Sequence, residues 1–459
     1  MANLFDTIKQ TINRSWDDRI CIGVTGLSQS GKSTFITSFI NQIQKHDAKN
    51  ARLREFVAAT NHRIHAVKLL PLEDRALPLF DYTRAINGLS GDTPRWPDST
   101  SDISGVLIQI ELKDGRKTKK VYVEVRDYPG EWLVDLPMRE QSFAQWSEFI
   151  QRQLSEEPRR SFASNPLAAL SAVNPFDEYN DLAAKKLKYA YCEFLRDCKA
   201  HSPSLSLLQP GRFLQPGAYN GHQMLDFYPL LSCVGFDEKA LKRAPDNSVY
   251  KVLEKRYSQY KSELIETFFD DFISPVEKQV VLVDVLNVLN GGKHYVDDMI
   301  NALDMIGASF RYKSRFFSSN IKEVMYIGTK ADHVLKEEHD HIRDLLSDIV
   351  SRSIENIKDH KVAFTSEAIA AIRCSQEVAD VDRPINVLKA HGDDGSVIKY
   401  EPPQIPDHIP SSTREWLAFD GWRWPKLTPP KGVRVARDQA IQHIHMDYVI
   451  QKLIGDLCK

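Results

Sequence analysis

The segment Gly26-Leu27-Ser28-Gln29-Ser30-Gly31-Lys32-Ser33 decides the fold of this chain, because it matches the pattern of a phosphate-binding loop. The apolar residues 20–24 before it are typical of a strand, and Ser33-Thr34-Phe35-Ile36 after it opens a helical pattern. A strand, a glycine-rich turn and a helix in this order are the setting that the motif requires. We therefore expect a nucleoside phosphate to bind here.

The residue types in this loop suit a phosphate chain. Gly26 and Gly31 let the backbone wrap around a phosphate with its N–H groups pointing inward, and the helix start adds its positive end. Lys32 is expected to bridge the β- and γ-phosphates, and the Ser33 hydroxyl to bind Mg²⁺, which prefers oxygen ligands. The other residues of this segment predicted to touch the nucleotide are Ser28, Gln29, Ser30 and Thr34.

Composition indicates a large protein with ample apolar material for a core. The chain has 459 residues, of which 42% are hydrophobic and 27% charged, and this length predicts two or three domains. Its formal net charge of −2 argues against bulk binding of nucleic acid. The six cysteines lack the paired spacing of a zinc site or a disulfide framework. No secretory signal opens the sequence, so we expect a cytoplasmic protein.

The apolar segments do not predict a membrane-spanning protein. The most apolar run, residues 280–289, is too short to cross a bilayer. Near the start of the chain, apolar side chains recur with helical spacing at Leu4, Phe5, Ile8, Ile12 and Trp16. A stripe of this kind most often packs on its own domain. The alternative is a peripheral contact with the inner membrane.

A β-hairpin is predicted to lead into a second candidate loop. Residues 105–112 and 119–125 alternate apolar and polar side chains on either side of an Asp-Gly turn. The second strand runs into Asp127-Tyr128-Pro129-Gly130, which places Asp127 where it can hold a Mg²⁺-bound water and Gly130 where its N–H can reach a γ-phosphate. An antiparallel hairpin at this point is typical of Ras-like GTPases, whereas many related ATPases use parallel strands there.

Recognition of the base is predicted in Thr329-Lys330-Ala331-Asp332, which follows the predicted strand 323–328. The Asp332 carboxylate can accept the N1 and N2 hydrogens of guanine, whereas adenine would leave it buried and unpaired at a cost of about 1–3 kcal/mol. The Lys330 stem is expected to pack along the base. A second contact with guanine is predicted from Ser366, just after a predicted strand over 361–364.

Together these segments resemble a GTPase, and the chain resembles the YcjX family of bacterial P-loop proteins associated with stress responses. The resemblance rests on Arg95-Trp96-Pro97-Asp98-Ser99-Thr100 in the long gap before the hairpin, on a strand reading Val281-Leu282-Val283-Asp284-Val285-Leu286, and on a helical insertion after Gly130. It implies a conformational switch that binds guanine nucleotide.

Glu131 departs from the Ras-like pattern, because such enzymes usually place there a glutamine that orients the attacking water. A carboxylate cannot donate to the γ-phosphate and repels it, so we expect slow hydrolysis. The alternative is that Glu131 begins the next helix, where an acidic residue suits the helix dipole.

The first switch is expected upstream of the hairpin. Thr100 is the expected Mg²⁺ ligand, with Thr93 and Ser99 as alternatives. Arg95 is a candidate arginine finger supplied within the chain, since such a group can neutralise charge that develops on the transferred phosphoryl group.

Residues 131–275 leave the GTPase plan. Amphipathic patterns predict helices over 181–198 and 248–272, separated by clusters of proline and glycine. Because the insertion follows Gly130 directly, a γ-phosphate contact there could move it and signal the nucleotide state to a protein partner. The alternative is a static lid.

We therefore expect an α/β fold, a three-layer P-loop NTPase core of the Ras-like GTPase type with a mainly parallel sheet and an inserted all-helical subdomain. The expected divisions are 1–130 and 276–374 for the two halves of the GTPase domain, 131–275 for the insertion, and 375–459 for an irregular extension that ends in a helix over 437–457. The expected function is a regulatory switch that binds GTP or GDP and hydrolyses GTP slowly with Mg²⁺. Alternatives are a non-hydrolysing scaffold and a small-molecule kinase or ATPase.

Overall fold

The fold comes from a computed structural model, which describes most of the chain. The described residues are 18–27, 29–72, 77–97, 102–115, 117–310, 320–358, 362–417, 424–430 and 439–459. The predictions for Ser28, Ser99 and Thr100, and the apolar stripe within residues 4–16, lie outside them.

The described strands form a seven-stranded and a three-stranded sheet. They are β1 (Arg19–Gly26), β2 (Ile64–Leu70), β3 (Ser104–Asp114), β4 (Lys117–Asp127), β5 (Lys278–Val283), β6 (Glu323–Gly328), β7 (Ala363–Ala368), β8 (Gln376–Ala379), β9 (Asn386–His391) and β10 (Val397–Tyr400). The large sheet has the order β2-β3-β4-β1-β5-β6-β7. Of its described strands only β3 runs against the others, since it pairs antiparallel with β2 and β4 while β4, β1, β5, β6 and β7 pair in parallel. The mainly parallel α/β fold and the β3–β4 hairpin are thus confirmed.

Helices cover both faces of this sheet. They are α1 (Lys32–Gln44), α2 (Val57–Thr60), α3 (Tyr82–Ser90), α4 (Gly130–Leu133), α5 (Phe143–Ser155), α6 (Ser164–Ser171), α7 (Asp181–His201), α8 (Gly211–Leu214), α9 (Glu238–Lys242), α10 (Val249–Tyr260), α11 (Val285–Gly291), α12 (Lys293–Ser309), α13 (His339–Ile349), α14 (Ser351–Lys358), α15 (Thr413–Leu417) and α16 (Met446–Ile454). After α10 the helical path continues through two π-turns, Lys261–Ile265 and Phe269–Ile273. In the described parts of the chain, no helix has both the length and the apolar character needed to cross a bilayer.

The central strand β5 carries an unbroken apolar run, Val280 to Val283, because both of its faces are covered. In β5, Val280 and Leu282 belong to the cluster that α1 and α16 complete, while Val281 and Val283 belong to the cluster shared with α12 and α13. Successive side chains of a strand point to opposite faces, so an unbroken apolar run serves two cores.

The described chain between β4 and β5 contains helices α4 to α10, which pack around an aromatic centre. Trp146 and Tyr257 stack with their ring centroids 5.4 Å apart, and Phe227 lies 5.2 Å from Tyr260. The predicted helices over 181–198 and 248–272 are confirmed, with Ser248 capping the second: its hydroxyl accepts the Lys251 N–H at 3.3 Å. The insertion belongs to the same apolar cluster as one face of the sheet.

Four sequence expectations about secondary structure are wrong in their bounds. β5 ends at Val283, because the Asp284 side chain accepts the Asn287 N–H and caps α11. β7 continues to Ala368, so the loop expected after residue 364 is strand. The extension after residue 375 is not irregular throughout, since β8, β9 and β10 form an antiparallel sheet there. The final helix, expected over 437–457, begins only at Met446 and ends at Ile454, and the described residues 439–445 before it are not helical.

Candidate nucleotide-binding site

The phosphate loop connects β1 to α1 as the motif predicts. Gly31 precedes the first helical residue with φ +83°, a left-handed conformation that favours glycine. The Ser30 N–H donates to the Leu27 carbonyl at 3.1 Å, which closes the turn. Among the described residues, no side chain caps α1 and no acidic residue lies in its first turn. The N–H groups and positive end of the helix are therefore available to an anion.

The loop packs tightly on itself around Gly26. A Cβ at Gly26 would overlap the Ser30 hydroxyl and lie 2.9 Å from the Leu282 Cβ, so only glycine fits. The Ser30 side chain is buried, and its hydroxyl has no hydrogen-bond partner among the described residues. An unpaired buried hydroxyl is costly, and a bound phosphate oxygen would satisfy it.

The second predicted loop touches the first. β4 pairs with β1 so that Asp127 lies opposite Val24, and the Asp127 carboxylate is buried at the strand end. Gly130 starts α4, and a Cβ there would overlap the carbonyl oxygen of Gly26. The structure thus brings together the phosphate loop and the glycine predicted to contact a γ-phosphate.

Oxygen donors for a cation are present at this edge of the sheet. Ser33, in the first turn of α1, supplies a hydroxyl, and Asp127 supplies a carboxylate. Among the described residues, no group of three histidine, cysteine or carboxylate side chains is placed to hold a metal ion. This donor set fits Mg²⁺, which takes few protein ligands and completes its shell with phosphate oxygens and water.

Glu131 lies in the first turn of α4, as the helix-start alternative predicted, and its side chain is also paired. Its side chain is buried, and its Oε1 accepts from the Lys199 Nζ at 3.0 Å. Burial alone would raise the pKa of Glu131, but the ammonium groups of Lys199 and Lys32 outweigh it and lower the pKa below its usual value. Lys199 belongs to α7 of the insertion, and no sequence signal marks it as a site residue.

Thr329-Lys330-Ala331-Asp332 follows β6 at the same edge of the sheet. Lys330 has φ +64°, and its Nζ donates to the buried Asp284 carboxylate at 2.5 Å. Burial alone would lower the pKa of Lys330, but Asp284 raises it above the usual value. The Asp332 side chain is only 3% exposed, and one of its oxygens accepts the Cys374 N–H at 2.8 Å.

The predicted second base contact is not where the sequence suggested. Ser366 lies inside β7, opposite Tyr326 of β6, and not in the loop expected after the strand. The loop after β7 reaches Asp332 instead: Cys374 donates its N–H to the carboxylate, and the Ser375 hydroxyl donates to the Asp332 carbonyl. Because the predicted strand ended at residue 364 and not at Ala368, the sequence did not predict that residues 374–375 contact Asp332.

The described part of the first switch makes its hydrogen bonds with segments other than the phosphate loop. Thr93 and Arg95 are exposed, and the Arg95 N–H donates to the Gly88 carbonyl at 2.9 Å. No hydrogen bond or ion pair in the described structure joins the Arg95 side chain to the phosphate loop. Next to it, the Trp96 Nε1 donates to the Leu427 carbonyl at 2.9 Å, which ties this segment to the C-terminal extension.

Comparison with known proteins connects this arrangement to a family. The model described as YcjX-like family, DUF463, matches residues 20–458. A protein named Ras-like GTPase YcjX from Shewanella oneidensis strain MR-1 is 29% identical over 468 residues, covering 97% of this chain and 96% of the relative. One of the same name from Escherichia coli strain K12 is 28% identical over 474 residues, covering 99% of both. Since the match runs from β1 to beyond α16, the chain belongs to the YcjX-like family.

Proposed function

We propose that this chain binds GTP and GDP and hydrolyses GTP slowly, to GDP and phosphate, as a regulatory switch. The observation that carries the proposal is the contact of Gly130 with the Gly26 carbonyl. This contact puts the Gly130 N–H beside the phosphate loop, where it would donate to a γ-phosphate. The name Ras-like GTPase, borne by both relatives, supports the choice of guanine nucleotide.

The chain's own groups would bind the phosphates as follows. The N-terminal N–H groups of α1 and the Lys32 ammonium would hold the β- and γ-phosphates, and the Gly130 N–H would donate to the γ-phosphate. Ser33 and Asp127 would hold Mg²⁺, which would neutralise phosphate charge when bound. Thr100, Thr93 and Ser99 remain candidates for the first-switch ligand, and Arg95 for an internal finger.

Slow turnover follows from Glu131. A carboxylate can accept a hydrogen bond from the attacking water but has no N–H to give to the γ-phosphate, unlike the glutamine of Ras-like enzymes. The presence of Glu131 in place of glutamine also favours a second candidate function, a scaffold that binds GTP without hydrolysing it. Release of phosphate from GTP over hours, measured with and without Mg²⁺, separates the two.

Guanine selectivity is proposed for Asp332, with Lys330 packing along the base. The carboxylate accepts one backbone N–H from Cys374, and a carboxylate has room for further donors such as guanine N1 and N2. Residues 374–375 replace Ser366 in this proposal, because they contact Asp332 while Ser366 faces Tyr326.

Titration with GDP and with ADP in Mg²⁺, followed by tryptophan fluorescence, tests this proposal. We expect GDP to bind more tightly than ADP, and Asp332→Ala to lose roughly tenfold or more in GDP affinity while ADP changes little. Asp340→Ala is the matched control, because that side chain is largely exposed on α13. Equal binding of GDP and ADP by the parent protein would overturn the proposal in favour of an ATPase or kinase.

The wider role rests on the helical insertion. We propose that residues 131–275 form the surface that a protein partner recognises, between the two halves of a GTPase domain at 1–130 and 276–374, with 375–459 as an extension. A role in bacterial stress responses and a cytoplasmic or peripheral inner-membrane location remain predictions.

A further inference from the structure

The ion pair between Glu131 and Lys199 joins α4, which begins at Gly130 beside the phosphate loop, to α7. The two side chains are 68 residues apart in sequence, yet Nζ and Oε1 are 3.0 Å apart. Only 11% of the Glu131 side chain and 28% of the Lys199 side chain are exposed. A pair this sheltered from water is screened less than a surface pair, so removing one partner has a larger effect on the other.

The backbone around Glu131 is held from both sides. Gly130 touches the Gly26 carbonyl of the phosphate loop, and Gly211 of the insertion touches the Glu131 carbonyl so closely that neither glycine has room for a Cβ. The Asp135 carboxylate accepts the Gly211 N–H at 2.9 Å. These contacts hold the Glu131 backbone next to the phosphate loop.

Two cations act on the Glu131 carboxylate. Lys199 is in hydrogen-bond contact, and Lys32 is the next cation whose field it feels. Lys32 is also the residue expected to bind the β- and γ-phosphates. Without Lys199, Lys32 would be the cation that acts most strongly on the carboxylate, which would then compete with the γ-phosphate for it.

We propose that Lys199 is a positioning residue that keeps the Glu131 carboxylate away from Lys32 and neutralises its charge. The site can then accept the negative charge of the γ-phosphate, which GTP has and GDP lacks. This inference rests on the proposed guanine-nucleotide function. Because Lys199 lies on α7, the preference for GTP over GDP would depend on the position of this helix. The insertion would therefore influence nucleotide binding through the charge of Lys199.

The test compares the affinities of the full-length protein for GDP and for a non-hydrolysable GTP analogue. We expect Lys199→Met to weaken binding of the analogue about tenfold while GDP affinity changes less than about threefold. Lys199→Arg should keep most of the preference, because it keeps the charge. Adding Glu131→Gln to Lys199→Met should restore binding of the analogue, because a neutral amide needs no cation and does not compete for Lys32.

A matched control lies on the same helix. Lys185 pairs with Asp181 in α7, and both side chains are more than half exposed, so Lys185→Met should leave the ratio of the two affinities unchanged. Circular dichroism and thermal unfolding show whether each variant is folded. If Lys199→Met does not fold, Glu131→Gln alone decides, since removing the carboxylate while Lys199 remains should raise the preference for the analogue.

The outcomes separate this inference from the proposed function. If the parent binds neither GDP nor the analogue, both fail. If the parent binds both, the inference alone is overturned by a Lys199→Met affinity ratio equal to that of the parent. A double variant no better than Lys199→Met, or a Glu131→Gln variant with a lower preference for the analogue, overturns it equally.

Discussion

At the scale of single residues, glycines decide how closely the two loops of the site approach each other. Gly130→Ala would place a methyl group against the Gly26 carbonyl and push α4 away from the phosphate loop. We expect affinity for a GTP analogue to fall about tenfold or more, and GDP affinity to fall less, because GDP lacks the γ-phosphate that we propose Gly130 binds. Parallel titrations with the two nucleotides measure the difference.

Gly88→Ala provides the control for that substitution. A Cβ at Gly88, in α3, would approach only the Arg95 carbonyl at 3.6 Å, which is an ordinary contact. The variant should bind both nucleotides like the parent. Equal losses for GDP and the analogue in Gly130→Ala would show a general distortion of the loop and not a missing γ-phosphate contact.

At the scale of elements, Asp135 links the segment after α4 to α8 and α10 through hydrogen bonds from Gly211 and Tyr260. Burial raises the pKa of this carboxyl to about 6, against hydrogen bonds from Tyr260 and the Gly211 N–H that favour ionisation. Its folded pKa thus exceeds its unfolded value of 3.8. The native state then binds more protons than the unfolded state between these values, so this group stabilises the fold below about pH 4 and its contribution is lost as the pH rises through about 6.

Asp135→Asn isolates that contribution. A shift of two pKa units corresponds to about 3 kcal/mol. Relative to the variant, the parent should therefore lose about this much free energy of unfolding between pH 4 and pH 7. Urea unfolding at several pH values measures it. A difference that does not vary with pH would contradict the raised pKa.

The elements themselves were largely predictable, whereas their mutual contacts were not. The phosphate loop, the hairpin, β6 and the two long helices of the insertion have local patterns, so sequence spacing was enough to find them. Lys199 lies 68 residues from its partner Glu131, and Cys374 lies 42 residues from its partner Asp332. No local sequence pattern predicts either contact. β7 was misplaced because a short strand at the sheet edge, half exposed, lacks an apolar run.

The C-terminal extension is part of the core that supports the phosphate loop. In α16, Val449, Ile450 and Leu453 are buried in the cluster that contains α1, and the Ile441 carbonyl accepts from the Gln42 side chain of α1 at 2.7 Å. Leu453→Ala should cost about 2–5 kcal/mol in free energy of unfolding. Urea unfolding measures the loss, and Lys452→Ala, on the exposed side of α16, should change stability little.

At the scale of the whole molecule, the continuity of the core limits how the insertion can respond to nucleotide. The insertion and one face of the sheet share a single apolar cluster that includes Leu27, Trp132, Trp146 and Val281. Swinging the insertion outward as a rigid body would expose much of this surface, at roughly 25 cal/mol per Å². One contact between a γ-phosphate and Gly130 supplies too little free energy to offset exposure of this apolar surface. We therefore expect the response to remain close to α4.

Hydrogen exchange in the GDP state and the GTP-analogue state tests this expectation. Amides in residues 128–140 and 199–215 should exchange more slowly with the analogue, because these segments meet at Glu131, Asp135 and Gly211. The interiors of α5 and α10, which pack around Trp146, should exchange alike in both states. A change throughout the insertion would mean that the shared core opens, and a partner would then sense the movement of the whole subdomain and not that of its edge.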